Sequence, residues 1–138
     1  THPLLKGVKF TSSNFFDMAC MKQRHLGCVI WNGMDQMLAS GLAAGADGAI
    51  GSTFNVISPV AQKLSKAFFA GDKEAVTIEQ NKINEFISIC KGHGALKIER
   101  AMLEAEGIHV GQCRRPFLPL SAKGEEAARR AYRLFIQA

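Results

Sequence analysis

The sequence predicts an α/β chain in which parallel strands give way to an all-helical tail. Short apolar runs alternate with helix-period patterns through the first half of the chain. A glycine or an N-cap residue separates each run from the helix that follows it, and the second half shows the helical period throughout. Three strand-then-helix units in succession require the strands to run parallel, because each helix carries the chain back to the starting edge.

The elements follow in order. GVKF at 7–10 reads as a short strand, and SSN at 12–14 supplies N-caps for a helix in which Phe15, Met18 and Met21 recur near 3.6 residues. CVIW at 28–31 is a second strand, rich in β-branched and aromatic side chains. Gly33 breaks it before a helix through Met37, Leu38 and Leu42, which Gly45 ends. GAIG at 48–51 is the third strand, and Ser58 before Pro59 predicts the next helix start. Gly71 then fits a C-cap, and Asp72 opens a long helix with Val76, Ile83, Phe86 and Cys90 on one face. Gly92 and Gly94 stop it. A further helix covers 95–106 and closes at Gly107, Pro116 and Pro119 hold an irregular connection, and Ser121 caps a last helix through Ala128, Ala131 and Phe135.

Composition narrows the function classes. With 138 residues, 47% hydrophobic and 21% charged, the chain can bury one core and is neither disordered nor collagen-like. Charges and glycines interrupt every apolar run well short of the ~20 residues a membrane span needs, so no membrane association is expected. The chain starts at Thr1 without a secretory-signal pattern, as the interior of a longer sequence would. Seventeen Lys and Arg against twelve Asp and Glu leave +5, spread along the chain. The densest basic spots, Lys63 with Lys66, Arg114 with Arg115, and Arg129, Arg130 and Arg133, read as solvated helix faces, and nucleic acid is not expected as a partner.

Cys20, Cys28, Cys90 and Cys113 lack ligand spacing and sit among apolar neighbours, which predicts reduced core residues in a reducing compartment. His2, His25, His93 and His109 show neither metal spacing nor a nucleophile partner.

Lys9 is the residue with chemistry in it. In a strand its side chain points away from those of Val8 and Phe10 and shares a face with Thr11, which aims a charge at a core. An edge-strand lysine that discourages aggregation has this pattern. So does a buried amine whose desolvation favours the neutral, nucleophilic form, able to condense with a ketone to a Schiff base.

GVKFTSSN at 7–14, WNGMDQM at 31–37 and GADGAIGSTFN at 45–55 resemble, in order and spacing, the N-acetylneuraminate lyase family. That family is a branch of the dihydrodipicolinate synthase group of class I aldolases. STFN after the third strand, the threonine after KF, and CRRPF at 113–117 are closer to the sialic acid branch than to the group at large. The resemblance covers essentially the whole chain but only the C-terminal half of a family member. It implies strands six to eight of a (β/α)8 TIM barrel over residues 1–70, then a helical extension over 71–138.

The resemblance assigns roles residue by residue. Lys9 matches the Schiff-base lysine, and Thr11 a threonine that contacts the bound sugar chain. Gly33 and Asp35 match positions that hold the hydroxylated tail, and Gly51 and Ser52 match the glycine and serine at the end of the eighth strand. Gln36 departs from the family, which usually carries Glu there, so the sugar preference is open. The implied reaction is reversible cleavage of N-acetylneuraminate to N-acetylmannosamine and pyruvate, with no metal or organic cofactor. A proton-transfer tyrosine and a Gly-Thr-rich carboxylate-binding loop belong to the missing N-terminal half of the barrel. A cytoplasmic homotetramer is implied as well. Two rivals stand beside this reading: a pyruvate aldolase acting on a 2-keto-3-deoxy sugar acid, and a non-catalytic half-barrel that needs a partner chain.

Overall fold

The computed structural model describes residues 2–25 and 27–137. Strands β1 (Gly7–Phe10), β2 (Val29–Asn32) and β3 (Gly48–Ala49) form a parallel sheet in the order β1-β2-β3. Lys9 pairs with Trp31, and Trp31 with Gly48. Helix α1 (Phe15–Arg24) connects β1 to β2, and a 3-10 turn (Asp35–Met37) leading into α2 (Leu38–Ala43) connects β2 to β3. The chain then runs through α3 (Phe54–Ala70), α4 (Lys73–Cys90), α5 (Ala95–Ala105) and α6 (Ala122–Phe135). Among the described residues no helix is long and apolar enough to cross a membrane.

Alternation along β2 separates the two faces of the sheet. Ile30 and Asn32 are fully buried, and Ile30 packs with Met18 and Ala46 against Val8, Phe10 and Phe15 under α1. Val29 and Trp31 point the other way and stay 36% exposed, in the company of Lys9. Ile50, just past β3, is exposed too. Among the described residues one apolar face is therefore uncovered and the outer edges of β1 and β3 are unpaired, as expected of three strands where a closed barrel needs eight.

The caps fall where the sequence places them. Asn14, Asp72 and Ser121 accept from the backbone amides of Asp17, Ala75 and Gly124 at 3.2, 3.0 and 3.2 Å, and Gly71 ends α3 at φ 77°. The bounds of four elements differ, α5 by a single residue at its end, Ala105 in place of 106. The second strand starts at Val29 instead of Cys28 and runs on to Asn32, whose side chain turns under the sheet to hold the next loop. The third stops at Ala49 because residues 51–53 already turn: Phe54 N donates to Gly51 O at 3.3 Å and Asn55 N to Ser52 O at 3.1 Å. Helix α3 begins at Phe54, ahead of the Ser58–Pro59 signal, and breaks at Ile57 (φ −119°, ψ 29°), so that proline sits in the first turn of its second segment.

One core joins the sheet's helices to the tail. Leu38, Ile57 and Leu64 meet Ile83, Phe86, Ile98, Met102 and Ala131, so residues on both sides of Gly71 bury one another. Phe86, fully buried, packs edge to face on Phe135 with centroids 5.4 Å apart; Phe86→Ala would cost about 3–5 kcal/mol. Of the four cysteines, all free, only Cys90 is buried; Cys20 in α1, Cys28 before β2 and Cys113 in the connection before α6 are half-buried instead of in the core. Burial, and then the charge of Glu99, push the Cys90 thiol up to about 12, which leaves it inert. The basic residues at 63, 66, 114, 115, 129, 130 and 133 are all exposed.

Candidate active site

The sequence-predicted site residues collect at the C-terminal ends of the strands, in two groups. The first is Lys9, Thr11 and Gly33. A Cβ on Gly33 would overlap Thr11 Oγ1 and come within 3.0 Å of Lys9 Cε, so only a glycine leaves room for both side chains over the end of β2. The Gly33 amide donates to Phe10 O at 2.9 Å, which extends the β1–β2 pairing up to this point. Lys9 is exposed. The buried amine considered for a strand lysine is thus absent from this sheet, because the face that Lys9 occupies has no second layer to exclude water.

The second group is Asp35, Gly51 and Ser52. Asp35 lies in the 3-10 turn after β2 and is 8% exposed. Its Oδ2 accepts from Thr53 Oγ1 at 2.7 Å, while Oδ1 is buried with no partner among the described residues. Gly51 makes the space for it, since a side chain there would overlap the Asp35 carboxylate. Ser52 Oγ donates to Glu99 Oε1 at 3.0 Å. Glu99 comes from α5 and is buried; burial raises its pKa, the Ser52 hydroxyl pulls it down, and the neighbouring charge of Asp35 raises it further. Gln36 is exposed.

Four supporting residues have no role assigned from the sequence, and two of them, Gln80 and Glu99, lie outside every quoted motif. Asn32, fully buried, donates from Nδ2 to Met34 O at 2.8 Å and shapes the loop that holds Gly33. Gln80 of α4 accepts from Ala39 N at 2.9 Å and donates to Asp35 O at 3.3 Å, tying the 3-10 turn to the tail. Thr53 orients Asp35, and Glu99 holds Ser52. A signal for Glu99 was present: it falls on the same helix face as Ala95, Ile98 and Met102, an acid in an apolar stripe.

The four histidines stand apart from these groups, and His109 Nδ1 lies 2.8 Å from Glu104 Oε2 at the far end of α5. Among the described residues no trio of His, Cys, Asp or Glu is placed to hold a metal ion. The arrangement offers an amine at one strand end and, in the turns after the next two strands, the acceptor oxygens of Asp35 and Ser52.

Comparison with known proteins gives the family and the fold. The chain is 32% identical over 136 residues to an N-acetylneuraminate lyase of Actinobacillus pleuropneumoniae serotype 5b, covering 98% of this chain and 47% of the relative. It is 34% identical over 122 residues to that of Enterobacter sp. (strain 638), covering 88% and 41%. The crystal structure of N-acetylneuraminate lyase from Fusobacterium nucleatum complexed with pyruvate superimposes with a TM-score of 0.91 at 27% identity, over 98% of this chain and 46% of that one. The Ruminococcus gnavus sialic acid aldolase superimposes with a TM-score of 0.88 at 29% identity, over 95% and 45%. The chain thus spans about half the length of the curated relatives it matches. Its sheet and helices are the C-terminal portion of a (β/α)8 barrel with a helical extension. The dihydrodipicolinate synthetase family model matches residues 1–133, and the chain belongs to that family.

Proposed function

We propose that this chain supplies the Schiff-base half of a class I aldolase that cleaves N-acetylneuraminate reversibly to N-acetylmannosamine and pyruvate. The observation that carries the reading is the meeting of Lys9, Thr11 and Gly33 at the ends of adjacent parallel strands, in a chain whose relatives are named N-acetylneuraminate lyases. Residues 1–70 contribute the barrel strands and 71–138 the extension that braces them.

The Lys9 amine adds to the keto carbon of the open-chain sugar, and loss of water gives a protonated imine. The carbon–carbon bond beyond it then breaks, its electron pair flows into the imine as an enamine, and the departing carbon becomes the aldehyde of N-acetylmannosamine. The hydroxyl proton released at that carbon passes to a base. Protonation of the enamine and hydrolysis of the imine free pyruvate and restore Lys9. Thr11 contacts the sugar chain. Asp35 Oδ1, without a partner among the described residues, accepts from a hydroxyl of the tail, with Gly33, Gln36, Gly51 and Ser52 around it. The base, a strand tyrosine, and the loop that grips the pyruvate carboxylate come from the N-terminal half of the barrel.

That half covers the open face of Val29, Trp31 and Ile50, which desolvates Lys9 and favours its neutral form. The reading includes a cytoplasmic homotetramer, checked by sedimentation. The test of function is pyruvate release from N-acetylneuraminate by the protein carrying this chain, with Lys9→Arg as the control. An active wild type and a dead variant support the reading, and an active Lys9→Arg protein overturns it. A second reading rests on exposed, uncharged Gln36: a 2-keto-3-deoxy sugar acid is the substrate, and a panel of sugars separates the two.

A further inference from the structure

Glu99 has no part in the aldolase chemistry, yet it is only 3% exposed and reaches from α5 to the turn after β3. Its one side-chain hydrogen bond is to Ser52, and it makes no ion pair among the described residues. The charged group acting on it is the carboxylate of Asp35, from the turn after β2, and Glu99 in turn acts on the thiol of Cys90, at the end of α4. Neither is a cation. A buried acid facing a second acid weakens a fold, so its presence at a strand end is accounted for by its effect on Ser52.

A serine hydroxyl has one proton and two lone pairs, whereas an ionised carboxylate only accepts. While Glu99 is charged it takes the Ser52 proton, and Ser52 Oγ presents lone pairs alone to the mouth of the site. Asp35 Oδ1, in the turn after β2, is an acceptor of the same polarity, buried and without a donor among the described residues. Two such acceptors match hydroxyls and repel a carboxylate or phosphate.

We infer that Glu99 is a positioning residue that fixes Ser52 as a hydrogen-bond acceptor, so that the site selects a polyhydroxylated tail and loses this selectivity once Glu99 takes up a proton. A protonated Glu99 donates to Ser52 Oγ and turns the serine proton outward, so that a ligand hydroxyl must switch from donor to acceptor there and a carboxylate or phosphate is no longer repelled. The identity of that ligand rests on the aldolase reading; the polarity of Ser52 does not.

Two measurements decide the matter. Carbon-13 NMR of the Glu99 carboxyl in the full chain gives its titration midpoint in the wild type and in Ser52→Ala. The hydroxyl lowers that midpoint, so the variant should titrate at higher pH, and an unmoved midpoint would overturn the inference whatever the activity. In the active protein, KM for N-acetylneuraminate should rise roughly two- to tenfold as pH falls through the wild-type midpoint, with the change confined to KM. Glu99→Gln should flatten that step, and so should Ser52→Ala should the glutamine variant misfold; a step that persists in both overturns the inference. Absence of lyase activity would remove the aldolase reading and leave the decision to the NMR titration.

Discussion

The Asp35 carboxylate and a side chain at position 51 cannot coexist, because the turn after β3 passes so close that a Cβ on Gly51 would overlap both Asp35 oxygens. Gly51→Ala must therefore drive Asp35 out of its place and break its 2.7 Å bond from Thr53. Forced displacement in a packed site costs about 1–3 kcal/mol. A urea midpoint lowered by that amount is the expected outcome, and an unchanged midpoint would mean that the turn relaxes freely.

Lys9 should be the trapped residue when the active protein is treated with pyruvate and borohydride and its peptides are mapped by mass spectrometry. Lys9→Arg should abolish the adduct, since a guanidinium stays protonated and forms no imine. An adduct on Lys6, or none, would reject the assignment.

Gln36→Glu should lower KM for N-acetylneuraminate and leave trapping at Lys9 unchanged. Charged acceptors exceed neutral ones by on the order of 1 kcal/mol, a factor of about five to ten. The site is exposed, so the new charge carries little cost in stability. A KM that stays put or rises would place Gln36 away from the sugar tail.

Asp47 gives a pH signature in the chain itself. Its carboxylate accepts from Lys22 Nζ, which joins α1 to the loop before β3, and from Ile30 N at 2.8 Å. The Lys22 bond first, then the Ile30 amide, hold its pKa below the usual range. A lowered native value means that the stability it contributes is present above the unfolded carboxylate pKa of about 3.9 and is lost as pH falls through the native one. Both side chains are partly solvated, at 27% and 38%, so the pair is worth less than about 1 kcal/mol. Asp47→Asn should lower the urea midpoint slightly at pH 7 and converge with wild type at low pH.

The strands and caps were legible because each rests on local chemistry: Asn14, Asp72 and Ser121 act within three residues of themselves, and Gly71 needs only its own φ. The start of α3 was not. Ser58 and Pro59 do mark a helical segment, but the turn at residues 51–53 had already launched one, and the break at Ile57 lets both stand. The motif glycines and Asp35 were legible through resemblance. Glu99 showed in the sequence only as an acid in an apolar stripe; its partner lies 47 positions away, and only the packing of α5 against the strand ends brings them together. Sequence spacing also could not show that Lys9 stays exposed, which depends on strands that these 138 residues do not supply.

The core shared across Gly71 bears on how such enzymes can be recombined. A chimera spliced between α3 and α4 would draw the strand-end loops from one parent and the groups that anchor them from the other. Gln80, which grips Asp35, and Glu99, which grips Ser52, both lie beyond that junction. Swapping extensions between relatives would thus exchange the hydrogen-bonding sense of the mouth while every candidate site residue stayed in place, and substrate preference would travel with the piece that carries none of those residues.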